Sequence, residues 1–386
     1  MSSTEIPTRA SVVIIGGGVV GLSSAYHLAR AGVKNVVVVE RGALGEGSTC
    51  KAAGGVRALF SDEVNIQLGL RSLEAFEQFG TQMDQEIDLH QVGYLFLLDN
   101  EGHEQSFSEA VQLQNSLGVD SRMIGPEEAK MLSPLVDITG IRSAVWSPRD
   151  GHCTPESVVL GYATAARRLG VKILTGCNAT DIVTDDESIT AVMTSKGLIA
   201  TDAVVCAAGA WSESIGRTVG IDLPVRPLRR QIAITERIAD VSPHTPFTID
   251  FSSSFYFHRE GQGLLLGMSE ESDSWGFDLS RTTDWLVTLA EAMERRLPDL
   301  EDVGLQSGWA GLYEMTPDHN AVIGESATVS RFLYATGFSG HGFLMGPAVG
   351  EVVRDLYLGN APVVDVSGLS LDRFSAAGVR PELNIV

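Results

Sequence analysis

The stretch SVVIIGGGVVGLSSAYHLARAGVKNVVVVE, residues 11–40, decides the fold of this chain. Residues 11–15 are β-branched and apolar, residues 16–21 are glycine-rich, residues 22–31 carry apolar positions at helical spacing, and residues 35–40 are a second apolar run. That order predicts a strand, a tight turn, a helix and another strand. Gly16, Gly18 and Gly21 stand in GxGxxG spacing. Gly16 permits the turn, Gly18 lets backbone N–H groups approach a pyrophosphate, and Gly21 lets helix and strand pack closely. The helix N-terminus, with Val20 in its first turn, then faces the anion. Glu40, followed by Arg41, ends the second strand, where a carboxylate accepts ribose hydroxyls and disfavours a 2′-phosphate. A glycine turn arising by chance gives the same string. Its position after a strand, before a helix and ahead of a strand-terminal acid makes it a dinucleotide site.

Outward from this unit, apolar spacing predicts a helix over 61–80 capped by Ser61 or Asp62, and one over 154–169 with Pro155 at its first position. Short β-rich segments follow at 171–174, 180–184, 189–194 and 203–207. Strands at 231–235, 255–258 and 263–268 surround a helix over 282–296, then a strand at 332–335 leads to a helix over 342–358. At 386 residues the chain exceeds the usual size of one core. The expectation is an α/β fold: a discontinuous Rossmann-like dinucleotide-binding domain (1–85, 146–222 and 318–386) interwoven with an α+β substrate domain on a mixed β-sheet (86–145 and 223–317).

Composition excludes several function classes. A net charge of -21 repels nucleic acid and anionic membrane surfaces. No run of about eighteen uncharged apolar residues predicts an integral membrane segment. The segment before Ser11 is short and polar, so a cytoplasmic protein is expected. Cys50, Cys153, Cys177 and Cys206 form no CxxC pair, which argues against zinc or a disulfide framework, and no metal site is expected. Partners are then small molecules or proteins. Lys34, Lys51, Lys130, Lys172 and Lys196 are the only lysines, so cationic recognition beyond residue 196 falls to arginine.

NAD and FAD share the glycine cradle, and three later segments choose between them. GSTCKAAGGVR, residues 47–57, is a small-residue loop suited to a large planar ring; it contains Ser48, Thr49, Lys51, Ala52, Ala53, Gly54 and Gly55 and ends on Arg57. VVCAAGAWS, residues 204–212, returns toward the dinucleotide with Ala208, Gly209 and Trp211. TGFSGHGFL, residues 336–344, places Gly337, Gly340, His341, Gly342, Phe343 and Leu344 at the start of a helix whose positive end suits a flavin pyrimidine. With GWAGLYEMTPD at 308–318, these segments resemble the D-amino-acid oxidase superfamily of FAD-dependent oxidoreductases, in the branch of sarcosine oxidases and dimethylglycine and sarcosine dehydrogenases. The resemblance covers nearly the whole chain. It implies FAD as cofactor and hydride transfer from the carbon beside an amine nitrogen to the flavin, giving an imine that water hydrolyses.

The chain also departs from these relatives. Where dimethylglycine dehydrogenases attach flavin through histidine stands Lys51, and where monomeric sarcosine oxidases use cysteine stands Gly311, so the resemblance implies non-covalent FAD. Leu265 occupies the place of a lysine that helps oxygen react with reduced flavin, which favours a dehydrogenase over an oxidase. Arg57 matches the arginine that holds the substrate carboxylate, and a guanidinium fork suits that role; its plainer reading is an ion pair. The second carboxylate contact, a lysine, is replaced by Leu344.

His341 is placed to polarise a flavin carbonyl or assist proton movement, or simply to cap the helix. Tyr256 and His258 share one face of a strand and Phe255 and Phe257 the other, without telling which faces the cavity. Tyr313 and Trp309 make an aromatic wall or belong to the core. The leading substrate is a small amine or amino acid such as sarcosine, another N-alkyl amino acid or a proline-like one. A D-amino-acid dehydrogenase or oxidase, and a non-catalytic FAD-containing subunit or assembly factor, remain the alternatives. The electron acceptor is left open among a quinone, an electron-transfer protein and oxygen.

Overall fold

A computed structural model describes residues 6–239, 241–270, 274–375 and 381–385. Val12–Ile15 lies at the centre of a six-stranded sheet and pairs in parallel with Val36–Val39 on one side and Val204–Cys206 on the other. Lys172–Leu174 extends the first side, and Phe332–Thr336 and then Val322–Glu325 extend the second, only the last pairing being antiparallel. Every residue of Val12–Ile15 and Val36–Val39 is buried. Unbroken apolar runs are what parallel strands covered on both faces require. Val12, Ile14, Val36 and Val38 pack with Leu22 and Ala25 of the helix Val19–Arg30 and Val349 and Val352 of the helix Gly342–Leu358. Val13, Ile15, Val37 and Val39 pack with Ile182, Val192 and Ile199 of a three-stranded sheet. Each fully buried aliphatic side chain contributes roughly 1.5–3 kcal/mol.

The turn after Val12–Ile15 accepts only glycine at its first position. Gly16 has φ +116, and a Cβ there would stand 2.2 Å from the Ala207 carbonyl oxygen. The helix that follows leans directly on this turn, since a Cβ on Gly21 would stand 2.0 Å from the Gly16 oxygen.

A second sheet has eight strands, in the order Leu305–Met315, Arg226–Thr235, Gly263–Met268, Phe255–Glu260, Phe247–Asp250, Tyr94–Leu98, Ser143–Ser147 and Arg122–Ile124. It is antiparallel except where Phe247–Asp250 meets Tyr94–Leu98. Its period of two separates the faces cleanly. Tyr94, Phe96, Phe247, Ile249 and Tyr256 join the core shared with the first sheet. Leu95, Leu97, Phe255, Phe257, Leu264 and Leu266 pack under Trp285, Leu289 and Met293 of the helix Thr283–Arg296. The alternation left open at 255–258 is thereby resolved: tyrosine and histidine face inward, and the phenylalanines face the covering helix.

The expected helix over 61–80 is two, Glu63–Glu77 and Phe79–Met83, and Asp62 rather than Ser61 is its cap, accepting from the Val64 N–H at 3.0 Å. Ser61 instead holds Glu382. Among the described residues no helix is long and apolar enough to cross a membrane, and no group of three or more His, Cys, Asp or Glu is arranged to hold a metal ion.

Candidate active site

The two sheets enclose a cavity of about 720 Å³ that runs from the glycine turn to the inner face of the eight-stranded sheet. Gly16, Gly18 and Val20 line its first end. Gly18 caps the helix Val19–Arg30 without a side chain, and the first turn of that helix holds no acidic residue. An N-terminus without a cap from its own Ncap residue, opening into a cavity, suits a pyrophosphate. Glu40 spans the turn, accepting from Gly17 N–H at 2.7 Å through Oε2 and from Gly42 N–H at 2.8 Å through Oε1. Arg41 lies 3.6 Å over the Trp211 ring, and both line the cavity beside Ala208 and Gly209.

The small-residue loop forms the middle of the cavity, where Ser48, Thr49, Lys51, Ala52, Ala53, Gly54 and Gly55 all line it. Among the described residues, four hydrogen bonds that involve a side chain fix this loop. Thr49 Oγ1 accepts from Val19 N–H (3.2 Å), Ser48 donates to the Leu312 carbonyl (2.8 Å), Trp309 Nε1 donates to the Lys51 carbonyl (2.9 Å), and His258 Nε2 meets the Ala53 carbonyl (2.9 Å). Gly340, His341, Gly342, Phe343 and Leu344 close the cavity from the helix Gly342–Leu358. The turn before that helix hangs on Glu314, whose Oε2 accepts from Thr336 Oγ1 and Gly337 N–H, each at 2.9 Å. Burial pushes the Glu314 carboxyl up to about 7 against those hydrogen bonds. The cradle, the polar strand end and the long cavity fit FAD.

The far end gathers Arg57, Tyr256, Tyr313 and His341. Arg57 is 4% exposed; Nη1 donates to the Leu59 carbonyl, Nη2 donates to the Asn384 carbonyl at 2.6 Å, and Nη2 lies 3.2 Å from His341 Nε2. Arginine has no acceptor, so His341 Nε2 accepts and its proton sits on Nδ1. Burial and the neighbouring guanidinium hold the His341 pKa well below the usual histidine range. It is therefore a neutral hydrogen-bond donor, not a proton acceptor. Burial also raises the Tyr94, Tyr256 and Tyr313 hydroxyls, which stay protonated, and pulls the Arg57 pKa down.

Gly21 and Gly337 do not line the cavity; both are packing positions, a Cβ on Gly337 meeting Thr316 Cγ2 at 2.4 Å. His258, expected among the catalytic candidates, also lies outside it. Its Nδ1 and Nε2 meet the carbonyls of Arg259 (2.8 Å) and Ala53, its ring packs against His152 at 4.1 Å, and burial lowers its pKa to about 4. It braces the loop. Trp309 and Leu265 line a separate cavity of about 360 Å³ across Ala52 and Ala53 from the first.

Sequence reading missed Tyr94, Phe247, Ile249 and Arg230, which line the far end, and gave Glu314 no role. Tyr94 and Phe247 stack at 4.4 Å. Arg230 lies 5.4 Å over the Tyr313 ring. The signal for Arg230 was present as strand alternation: Arg229 turns away to a two-bonded pair with Glu270 (3.0 and 2.9 Å), which leaves its neighbour facing the cavity.

Comparison with known proteins points to one family. A family model described as FAD dependent oxidoreductase matches residues 11–356. The human mitochondrial sarcosine dehydrogenase is 30% identical over 96% of this chain, and the mouse mitochondrial dimethylglycine dehydrogenase 30% over 97%. This chain spans less than half of each, 42% and 45%. FAD-dependent oxidoreductase domain-containing protein 1 of Xenopus laevis is 31% identical over 98% of this chain and 85% of its own length. The crystal structure of L-proline dehydrogenase from P. horikoshii superposes with a TM-score of 0.91 and 33% identity, covering 97% of this chain and all of the other.

Proposed function

Because the chain belongs to the family of FAD-dependent oxidoreductases, we propose that it oxidises the C–N bond of a small amino acid carrying a secondary or cyclic amine. The observation that carries this reading is the continuity of one cavity from the helix N-terminus to a pocket of two arginines, three tyrosines and a neutral histidine. Bound FAD supplies the acceptor for a hydride from the carbon beside nitrogen. Gly16, Gly18 and the start of the helix Val19–Arg30 would hold its pyrophosphate, and Glu40 its ribose. The protein's remaining task is orientation.

Arg57 and Arg230 provide the positive charge that draws the substrate carboxylate to the far end. Arg57 has five N–H donors and three contacts, so donors remain for a carboxylate. Tyr256 and Tyr313, kept protonated, donate hydrogen bonds beside it. Phe247, Ile249 and Tyr94 supply an apolar wall that accepts an alkyl or ring carbon and excludes water. His341, as a neutral donor through Nδ1, adds no charge that would compete for the carboxylate. The human and mouse relatives named for sarcosine and dimethylglycine, and the structure named for L-proline, support substrates of this class. Leu265 in place of a lysine supports a dehydrogenase.

The test is an anaerobic screen of sarcosine, dimethylglycine, L-proline, glycine and D-amino acids for flavin bleaching, followed by turnover with a dye acceptor and with air. Bleaching by N-alkyl or cyclic amino acids, with faster turnover on the dye than in air, is expected. Preference for D-amino acids makes the primary amine the substrate. Bleaching by dimethylamine as fast as by sarcosine refutes the carboxylate requirement, and the absence of bleaching by any of them refutes the catalytic reading.

A further inference from the structure

The guanidinium of Arg57 is held from below by residues more than three hundred positions away. The Asn384 carbonyl accepts from Nη2 at 2.6 Å. Asn384 is fully buried, and its side-chain amide makes no hydrogen bond among the described residues, so the contact to Arg57 runs through its backbone. What seats that backbone is Glu382, 1% exposed. Its carboxylate accepts from Ser61 N–H (2.9 Å), Ser61 Oγ (2.8 Å), Asp62 N–H (3.3 Å), Asn65 Nδ2 (3.0 Å) and Asn384 N–H (2.9 Å). Leu383 N–H donates to Ser61 Oγ at 2.9 Å, and the Leu383 side chain points outward at 54% exposed. A segment with Glu382 and Asn384 buried and Leu383 exposed is thus clamped to the start of the helix Glu63–Glu77, just past the loop that ends on Arg57.

We infer that residues 382–384 are a positioning element of the active site: Glu382 seats the segment, and the Asn384 carbonyl fixes the Arg57 guanidinium and, through it, His341, at the carboxylate end of the cavity. The chemistry is that of a charge given a single orientation. With the Leu59 carbonyl on Nη1 and the Asn384 carbonyl on Nη2, both arms of the fork are pinned, so the guanidinium plane cannot turn. Without the second carbonyl, one arm is released and the His341 contact with it. A carboxylate then meets a mobile cation, which loses the fixed direction of its remaining N–H donors and leaves general attraction in place. Arg57 touches the ligand; Glu382 and Asn384 act through it.

This inference rests on the reading of Arg57 as the carboxylate contact, and the experiment separates the two. FAD-loaded wild type, Glu382→Gln and Arg57→Lys are titrated with benzoate and, as the uncharged control, benzamide, following the visible absorbance of the bound flavin. Gln presents an N–H₂ where Glu382 meets only donors, so the seat is lost while the side chain keeps its size. Glu382→Gln is expected to weaken benzoate at least tenfold and benzamide less than twofold, at unchanged FAD content, with KM for the best amino acid raised far more than kcat falls. Wild-type benzoate affinity in Glu382→Gln, with Arg57→Lys weakened, overturns the positioning role alone. Equal weakening of benzoate and benzamide overturns it too, since a structural defect is blind to charge. Wild-type affinity in Arg57→Lys overturns the carboxylate reading and this inference with it. Should Glu382→Gln not accumulate as holoenzyme, Ser61→Ala, which removes a donor to Glu382, is measured in the same way and judged by the same outcomes.

Discussion

Replacing Gly21 and Gly18 separately by alanine distinguishes the glycine that builds the fold from the one proposed to admit the cofactor. A Cβ on Gly21 would stand 2.0 Å from the Gly16 oxygen, 3.1 Å from the Gly16 carbonyl carbon and 3.4 Å from Ile14 Cγ2. Ordinary contact begins near 3.5 Å, so helix and turn must separate by roughly 1.5 Å, and the obstacle is backbone that cannot rotate aside. Overpacking of this kind costs about 1–3 kcal/mol and occasionally more. With no side chain free to yield, Gly21→Ala belongs at the upper end, about 3 kcal/mol. At about 2 °C per kcal/mol for a large domain, the apoprotein melts roughly 6 °C lower. A Cβ on Gly18 meets only Thr49 Oγ1, at 3.0 Å, and the backbone there is ordinary extended chain, φ -82 and ψ -177. A hydroxyl yields a few tenths of an ångström, and alanine also restricts the unfolded chain, a gain of about 0.4–1 kcal/mol. The Gly18→Ala apoprotein should melt within about 2 °C of wild type, yet its methyl would stand at the proposed pyrophosphate site, so FAD should bind at least tenfold more weakly, about 1.4 kcal/mol. Differential scanning calorimetry of the apoproteins and fluorescence titration with FAD measure both. Wild-type FAD affinity in Gly18→Ala, or equal melting of the two variants, refutes the reasoning.

Arg57→Ala leaves the Leu59 and Asn384 carbonyls buried without a donor at about 1–3 kcal/mol each, so urea denaturation should give a loss of roughly 2–6 kcal/mol; a loss under about 1 kcal/mol contradicts the pinned geometry. Glu314 has a folded pKa raised by burial to about 7, so its contribution to stability is complete below its unfolded value near 4.5 and disappears as pH rises to about 7. Relative to Glu314→Gln, wild type should lose roughly 3 kcal/mol between those limits and nothing further above them; parallel stability curves count against the raised pKa. Acid precipitation should release all flavin as FAD, since Lys51 and Gly311 stand at the family's attachment positions, and flavin fluorescence retained on the denatured chain would show an attachment elsewhere.

The dinucleotide half of the fold was readable because each rule it obeys is local. A continuous apolar strand, a turn that only glycine can make and an acid at the next strand end all lie within residues 11–40. The helix Gly342–Leu358 was equally plain, its glycine start and apolar length needing no distant partner. The eight-stranded sheet was legible only in part. Leu305–Met315 begins with five residues that are exposed or half-buried, and its strand character comes from ten-residue pairing with Arg226–Thr235. The helix Glu101–Ser116 buries only Phe107, Ala110, Val111 and Gln114, too narrow a stripe to stand out. Most of the motif residues line the cavity, Gly21 and Gly337 excepted, whereas Arg230, Tyr94 and Phe247 carry no motif and reach the cavity through strand pairing alone. His258 shows the opposite error. It shares a strand face with Tyr256, but the nearby Ala53 carbonyl claims its ring, and spacing along one strand cannot reveal a partner 205 residues away.

The order of strands in the six-stranded sheet also governs when the protein can come into being during synthesis. Val13 pairs with Val204, and Val204 with Phe332. At a ribosomal pace of roughly 5–20 residues per second, the first strand emerges tens of seconds before the last of these neighbours exists. Until then the nascent chain carries an unpaired, wholly apolar strand edge, the kind of surface that invites wrong association. The nucleotide cradle is encoded in the opening residues but becomes a cofactor site only when the helix Gly342–Leu358 arrives to close it. Loading with FAD is consequently a late event, so the exposed strand edge is covered by Phe332–Thr336 and not by flavin, and the hazard to newly made chains is independent of flavin supply.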